Sequence, residues 1–160
     1  MSVDTGGNLD TEVGRVMESI GRCVTIYQKI ELQLKYLLPH VVGPNQKSGD
    51  TFAQWRSLLD SKTTLGPLMA RLTECAQSTD PEAFSRYVSD LIAHRNELIH
   101  HFCQLPFGAL KSRDQCDAAL AHLNGRLEFA LPLYLGLAEV MEQFVDALVK
   151  WKLTEESNSN

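Results

Sequence analysis

No stretch of this chain approaches about 18 continuous apolar residues, so no membrane-spanning helix is expected. Its first residues, Met1 to Asp10, carry neither a positive n-region nor an apolar h-region. That predicts no secretion signal and a cytoplasmic location. Cysteine is sparse, and Cys23, Cys75, Cys103 and Cys116 form no C-x-x-C pair and no zinc-finger spacing. Each lies among apolar residues of helical pattern, which predicts small buried hydrophobes in a reducing compartment. Positive charge is not in excess. Fifteen Lys and Arg against 20 Asp and Glu leave a net charge of -5 and a pI near 5.5. This argues against broad nonspecific nucleic-acid binding, while a local basic groove stays open. No alternating run of β-branched residues is bounded by hairpin turns, and no internal repeat is present. The phosphate-loop, dinucleotide, H-E-x-x-H and G-x-S-x-G patterns are all missing.

What is present is helical periodicity. The 160 residues, 44% hydrophobic and 22% charged, suit one domain with a real core. From Leu9 to Leu38 the apolar positions Val13, Val16, Ile20, Val24, Tyr27, Ile30, Leu34 and Leu37 recur at intervals of three and four. Pro39, Gly43 and Pro44 end that helix, and a loop over about 40–50 follows. Phe52 to Leu59 reads as a short helix carrying Trp55. Thr63 or Thr64 can cap the next helix, with Pro67 in its first turn and Leu68, Met69 and Leu72 inside. Asp80-Pro81-Glu82 starts a helix that runs to about Phe102. After Pro106 and Gly108, a long last helix spans about Asp114 to Leu153. Its expected inner stripe is Leu120, Leu123, Leu127, Leu131, Tyr134, Ala138, Met141, Val145, Leu148 and Trp151, with a kink at Pro132. Trp55, Trp151 and the aromatics of the last helix are expected in the core. Glu155-Glu156 and Glu139/Glu142 read as solvated surface, and 154–160 as a flexible tail. The expected fold is all-α, an up-and-down bundle of four long helices plus a short one, in a single domain over 1–160, ordered over about 9–153.

One helix carries unexpected polarity. In Arg95-Asn96-Glu97-Leu98-Ile99-His100, followed by His101 and Phe102, polar groups interrupt an apolar pattern. At about 100° per residue, Val88, Leu91, Leu98 and Phe102 fall within roughly 40° of Phe84. Arg95 lands in the middle of that arc, where its charge needs a partner or water. The arc therefore meets a carboxylate such as Glu31, or opens onto a cleft or a subunit interface. Histidine moves protons near neutral pH, and arginine offers a permanent bidentate fork to phosphate. Together they suit RNA cleavage through the 2′-hydroxyl without a metal. On a straight helix, however, Arg95 and His100 point about 140° apart. A bend near Ile99, or a second subunit completing the site, would bring them together.

His94 and His101, seven residues apart, would share a helix face, with Asp90 and Glu97 nearby as further metal ligands. Spacing alone carries that reading, and no metal or other cofactor is expected. Cys103 beside His100 and His101 could act as a nucleophile, though a buried apolar role suits it better. A structural reading of the motif remains beside the catalytic one. There Arg95 pairs with Glu31 or another carboxylate, and His100 is a histidine favoured by the helix C-terminus.

Arg95-Asn96-x-x-x-His100 resembles the R-x4-H motif, in its R-N-x-x-x-H form, of the HEPN superfamily. Lys29-Ile30-Glu31-Leu32-Gln33-Leu34-Lys35 and the Thr64-Leu65-Gly66 helix start resemble small bacterial members. In helix order the resemblance covers roughly Thr11 to Leu153, but only the short motif is specific. It implies an all-α bundle of four or five helices that forms a homodimer. It also implies metal-independent endoribonuclease activity leaving 2′,3′-cyclic phosphates, in a toxin or phage-defence effector with RNA as substrate. Arg95 and His100 would be the catalytic pair, with Asn96, His101 and Glu31 supporting them or binding phosphate. An antitoxin or defence-system protein would be the partner. Members silenced by a nucleotidyltransferase antitoxin carry R-x4-H-x-Y. Here the tyrosine position is Phe102, which excludes that route at that position. Other members of the superfamily are noncatalytic interaction or regulatory modules, the alternative expectation for this chain.

Overall fold

The computed structural model describes residues 9–40, 51–76 and 78–158, and among them every regular element is helical. Helix α1 spans Leu9–Leu37 and closes in a 3-10 turn, Leu38–His40, where Pro39 lacks the N–H a further turn would need. Helices α2 (Thr51–Asp60) and α3 (Leu65–Cys75) follow. Helix α4 (Pro81–Asn96) passes into a π turn, Glu97–His101, and a 3-10 turn, Phe102–Gln104. Helix α5 spans Arg113–Asn158 and carries Pro132 inside it. It ends five residues beyond the Leu153 expected from the apolar pattern. Of the loop expected over about 40–50, His40 closes the 3-10 turn, and 41–50, the side chain of Trp55 and those of Glu155-Glu156 lie outside the described residues or side chains.

Two compact units share the two longest helices. The first holds residues up to Gln28 together with Ser78–Leu131, and the second holds Lys29–Gln77 and Pro132–Asn160. In the first, Val16, Cys23 and Tyr27 of α1, Val88 and Leu91 of α4, and Cys116, Ala119 and Leu123 of α5 are buried. Two polar contacts fix the register. The Cys23 thiol lies 3.5 Å from the Leu123 carbonyl, and the Tyr87 hydroxyl donates to the Phe129 carbonyl at 3.0 Å. The buried positions of α1 run through Ser19 and Cys23, displacing Ile20 and Val24 to half-buried flanks. A small residue lets helix axes approach, so the smaller member of each neighbouring pair takes the centre.

In the second unit the core is Ile30, Leu34, Leu37 and Leu38 with Leu65, Leu68 and Met69 of α3, and Leu137 of α5. Thr64 stands at the α3 cap position in extended conformation, yet its hydroxyl makes no capping bond. Lys35 instead ties α1 to the end of α2 by donating to the Ser61 carbonyl at 2.8 Å. The Lys29 ammonium stands 5.7 Å from the Tyr134 ring centre, and the His40 ring rests against Phe144 at 4.6 Å.

The buried positions of α5 are Cys116, Ala119, Leu123, Ala130 and Leu137, so of the expected inner stripe only Leu123 is buried, and Leu120, Leu127, Leu131, Tyr134 and Ala138 are half-buried flanks. Met141 and Phe144 are half-buried, whereas Val145, Leu148 and Trp151, expected inside, are exposed. The pattern continues at helical spacing beyond the side chains that cover it. Among the described residues no helix is long and apolar enough to cross a membrane.

Candidate functional site around the π turn

Helix α4 begins as its sequence dictates. The Asp80 carboxylate accepts from the Ala83 N–H at 2.9 Å, and Pro81 occupies the first position, where no N–H is needed. Val88, Leu91, Leu98 and Phe102 are buried along one arc, and Arg95 sits half-buried between them. Its Nη1 donates to the neighbouring Asn96 Oδ1 at 3.3 Å. Asn96, His100 and His101 are exposed, and the two imidazoles stand 6.2 Å apart in an edge-to-face arrangement.

The π turn changes the directions expected from a straight helix. Its bonds reach five residues back rather than four, so residues five apart come closer to alignment. It is centred on Ile99, within the five-residue spacing of Arg95 and His100. The angle between Arg95 and His100 around the helix is thereby narrower than on a straight helix. The same extra residue separates His94 from His101. His94 is half-buried against the Phe129 ring, 4.7 Å between centres, while His101 is exposed. The expectation that these two share a face is corrected by this phase slip.

A clamp from α5 holds the turn. Glu97 Oε1 accepts from Arg126 Nη2 at 2.9 Å, from Arg126 Nε at 3.2 Å and from His122 Nε2 at 2.8 Å. All three side chains are half-buried. Burial pushes the Glu97 carboxyl up, but the bonds from Arg126 and His122 outweigh it and hold its pKa below the ordinary value. Arg126 also meets His94 Nε2. A guanidinium only donates, so Nε2 is the acceptor and the ring hydrogen sits on Nδ1. That Nδ1 is buried without a hydrogen-bond partner. Burial, and then the Arg126 charge, lower the His94 pKa. Tyr27 faces the same region. Its buried hydroxyl has no hydrogen-bond partner, and burial pushes its pKa up to about 12.

The far end of the motif is fixed by packing. Phe102 and Phe107 lie edge-to-face at 6.0 Å, and Phe107 tilts against His122 at 5.1 Å. Gly108 passes so close to the Phe102 carbonyl that a Cβ there would collide with it, and would also stand 2.8 Å from Cys103 Cα. Leu110 then adopts φ 50°, a left-handed conformation costly for a side-chain-bearing residue, with its side chain buried.

Glu97 therefore serves an ion pair with α5 and not a metal site with Asp90 and His101. Among the described residues no three His, Cys, Asp or Glu side chains group to hold a metal. Glu31 is half-buried on α1 and belongs to the second unit. Cys103 is exposed, against the expectation of burial, and Cys75 is half-buried, whereas Cys23 and Cys116 are buried as expected. The residues missed in the sequence are His122 and Arg126. Their signal is a four-residue spacing, which sets two basic groups on one face of α5 beside its inner stripe. No family model, curated protein or solved structure matches this chain.

Proposed function

We propose that this chain is a metal-independent endoribonuclease of HEPN type. It would act as a homodimer with the α4–π-turn helix of each copy lining one cleft, in a toxin or phage-defence role. The observation that supports this is the π turn centred on Ile99, which reduces the angular gap between Arg95 and an exposed His100. An imidazole takes the 2′-hydroxyl proton, and the 2′-oxygen attacks the adjacent phosphorus. The 5′-oxygen leaves with a proton from the second copy's imidazole, giving a 2′,3′-cyclic phosphate and a 5′-hydroxyl end. The Arg95 guanidinium stabilises the charge gathered on the phosphorane oxygens. Asn96, bonded to Arg95, orients the fork, and His101 adds donor capacity beside His100.

The test is cleavage of single-stranded RNA in excess chelator, with product ends mapped. Wild type is expected to cleave. His100→Ala should lose at least about 10²-fold in rate with an unchanged melt, since its side chain is exposed. Activity lost in chelator and restored by magnesium, or an active His100→Ala, refutes the mechanism. A noncatalytic interaction module is the second reading, favoured by the apolar side chains that α5 leaves exposed.

A further inference from the structure

We propose that His94 is an acid-sensitive latch on the π turn: neutral, it holds Arg126 in the clamp, and protonated, it releases the Glu97–His101 segment. Every part of this device lies in the first unit. The Arg126 guanidinium is divided between two acceptors. Its Nε and Nη2 bond Glu97 Oε1, and its Nη1 meets His94 Nε2. The imidazole accepts that bond only while Nε2 carries no hydrogen. A proton on Nε2 sets two cationic groups face to face with no acceptor between them. The contact is then lost, and with it the hold on a guanidinium that carries two of the three bonds tying Glu97 to α5. The ring finds no relief on its other side. Its Nδ1 is buried without a hydrogen-bond partner among the described residues, and Phe129 packs edge-on at 4.7 Å.

The groups that face His94 set the direction. Arg126 and His122 come from α5, and the carboxylates of Asp90 and Glu97 from its own helix and turn. Burial and the Arg126 charge disfavour the imidazolium and outweigh the pull of the two carboxylates, so its pKa lies below the ordinary 6.5. On α1, burial holds the Cys23 thiol and the Tyr27 hydroxyl above their ordinary values, so both stay neutral in this range. Glu97, held below 4.5, stays charged. His122 acts in the opposite sense, because a proton there strengthens its bond to Glu97 and tightens the turn. The latch is therefore closed above pH 6.5 and opens as pH falls from there through the lower folded value. A released turn loses the π register, and with it the narrowed angle between Arg95 and His100. The bearing of that loss on cleavage rests on the nuclease reading, whereas the latch itself rests on the fold.

The experiment is imidazole nitrogen NMR and amide exchange on the full chain from about pH 7.5 to about pH 5, across the histidine range. Exchange is expressed as protection factors, so that its intrinsic pH dependence drops out. Neutral His94 should carry its hydrogen on Nδ1. As the ring takes up a second, protection at 98–102 should fall about tenfold, the worth of one bond from a charged donor. His94→Gln keeps an acceptor for Arg126 and takes up no proton, so its protection should change less than about twofold over the same range. His122→Gln should keep the full acid loss. His100 and His101 are present in all three proteins, so their titration is common to them. A neutral His94 with its hydrogen on Nε2 overturns the proposal, and so does a His94 that protonates with no change at 98–102. If His94→Gln loses as much protection in acid as wild type, the exposed histidines govern the turn and the latch is refuted. The wild-type measurements decide even where His94→Gln does not fold. No substrate enters them, so failure of the nuclease reading leaves the latch standing, and failure of the latch leaves that reading untouched.

Discussion

Replacing Glu97 by Gln keeps the shape of the clamp and removes its charge. The carboxylate oxygen accepts three N–H bonds, two from Arg126 and one from His122. Hydrogen bonds to a buried charged group contribute about 1.5–3 kcal/mol each, whereas exposed ion pairs contribute about 0.2–1 kcal/mol. The half-buried position lies between these limits, and glutamine keeps one neutral acceptor. The net loss should be about 1–2 kcal/mol. In a chain of this size that lowers Tm by about 2–8 °C at pH 7.

The pH dependence has a fixed sign. Glu97 is held below its ordinary value of 4.5, so its contribution is complete above that value and is lost as pH falls through the lower folded value. The gap between wild type and Glu97→Gln should therefore close in acid. His94, depressed chiefly by burial, adds a separate loss of stability as pH falls below its ordinary 6.5, and Glu97→Gln should retain that loss. Melts by circular dichroism across this range check both statements. Amide exchange should rise at 98–102 in the variant, because the clamp ties that turn to α5. A variant that melts with wild type at pH 7 and keeps its exchange pattern refutes the clamp.

Tyr27→Phe removes a buried hydroxyl without a hydrogen-bond partner and should raise Tm by about 2–4 °C, near 1 kcal/mol. Because the folded state holds Tyr27 neutral to about pH 12, wild type loses stability as pH rises above the ordinary value of 10. The Phe variant should lack that alkaline loss, and a destabilised variant would show that the hydroxyl is bonded. Gly108→Ala drives a Cβ into the Phe102 carbonyl and should cost about 1–3 kcal/mol by thermal melt. Gly125→Ala on α5, where nothing lies within 4 Å of the added carbon, should stabilise by about 0.5–1 kcal/mol.

The start of α4 and its buried arc were legible because each rests on local chemistry. Asp80 and Pro81 cap in sequence order, and Val88, Leu91, Leu98 and Phe102 repeat at the helical period. The placement of Arg95 in that arc was legible for the same reason. The π turn was not. It inserts one residue into a helix whose composition is unchanged, and the side chain that holds it meets partners 25 and 29 positions away. His122 and Arg126 look like ordinary surface basics until α5 is laid beside Glu97. Periodicity failed differently at the end of α5. It reports which residues share a face, and on that point it was right for Val145, Leu148 and Trp151. It cannot report whether anything covers that face. Among the described residues the His40 ring rests against Phe144, and Val145, Leu148 and Trp151 beyond it are exposed. A helix whose apolar spacing outlasts its cover leaves hydrophobic surface in water at about 25 cal/mol per Å².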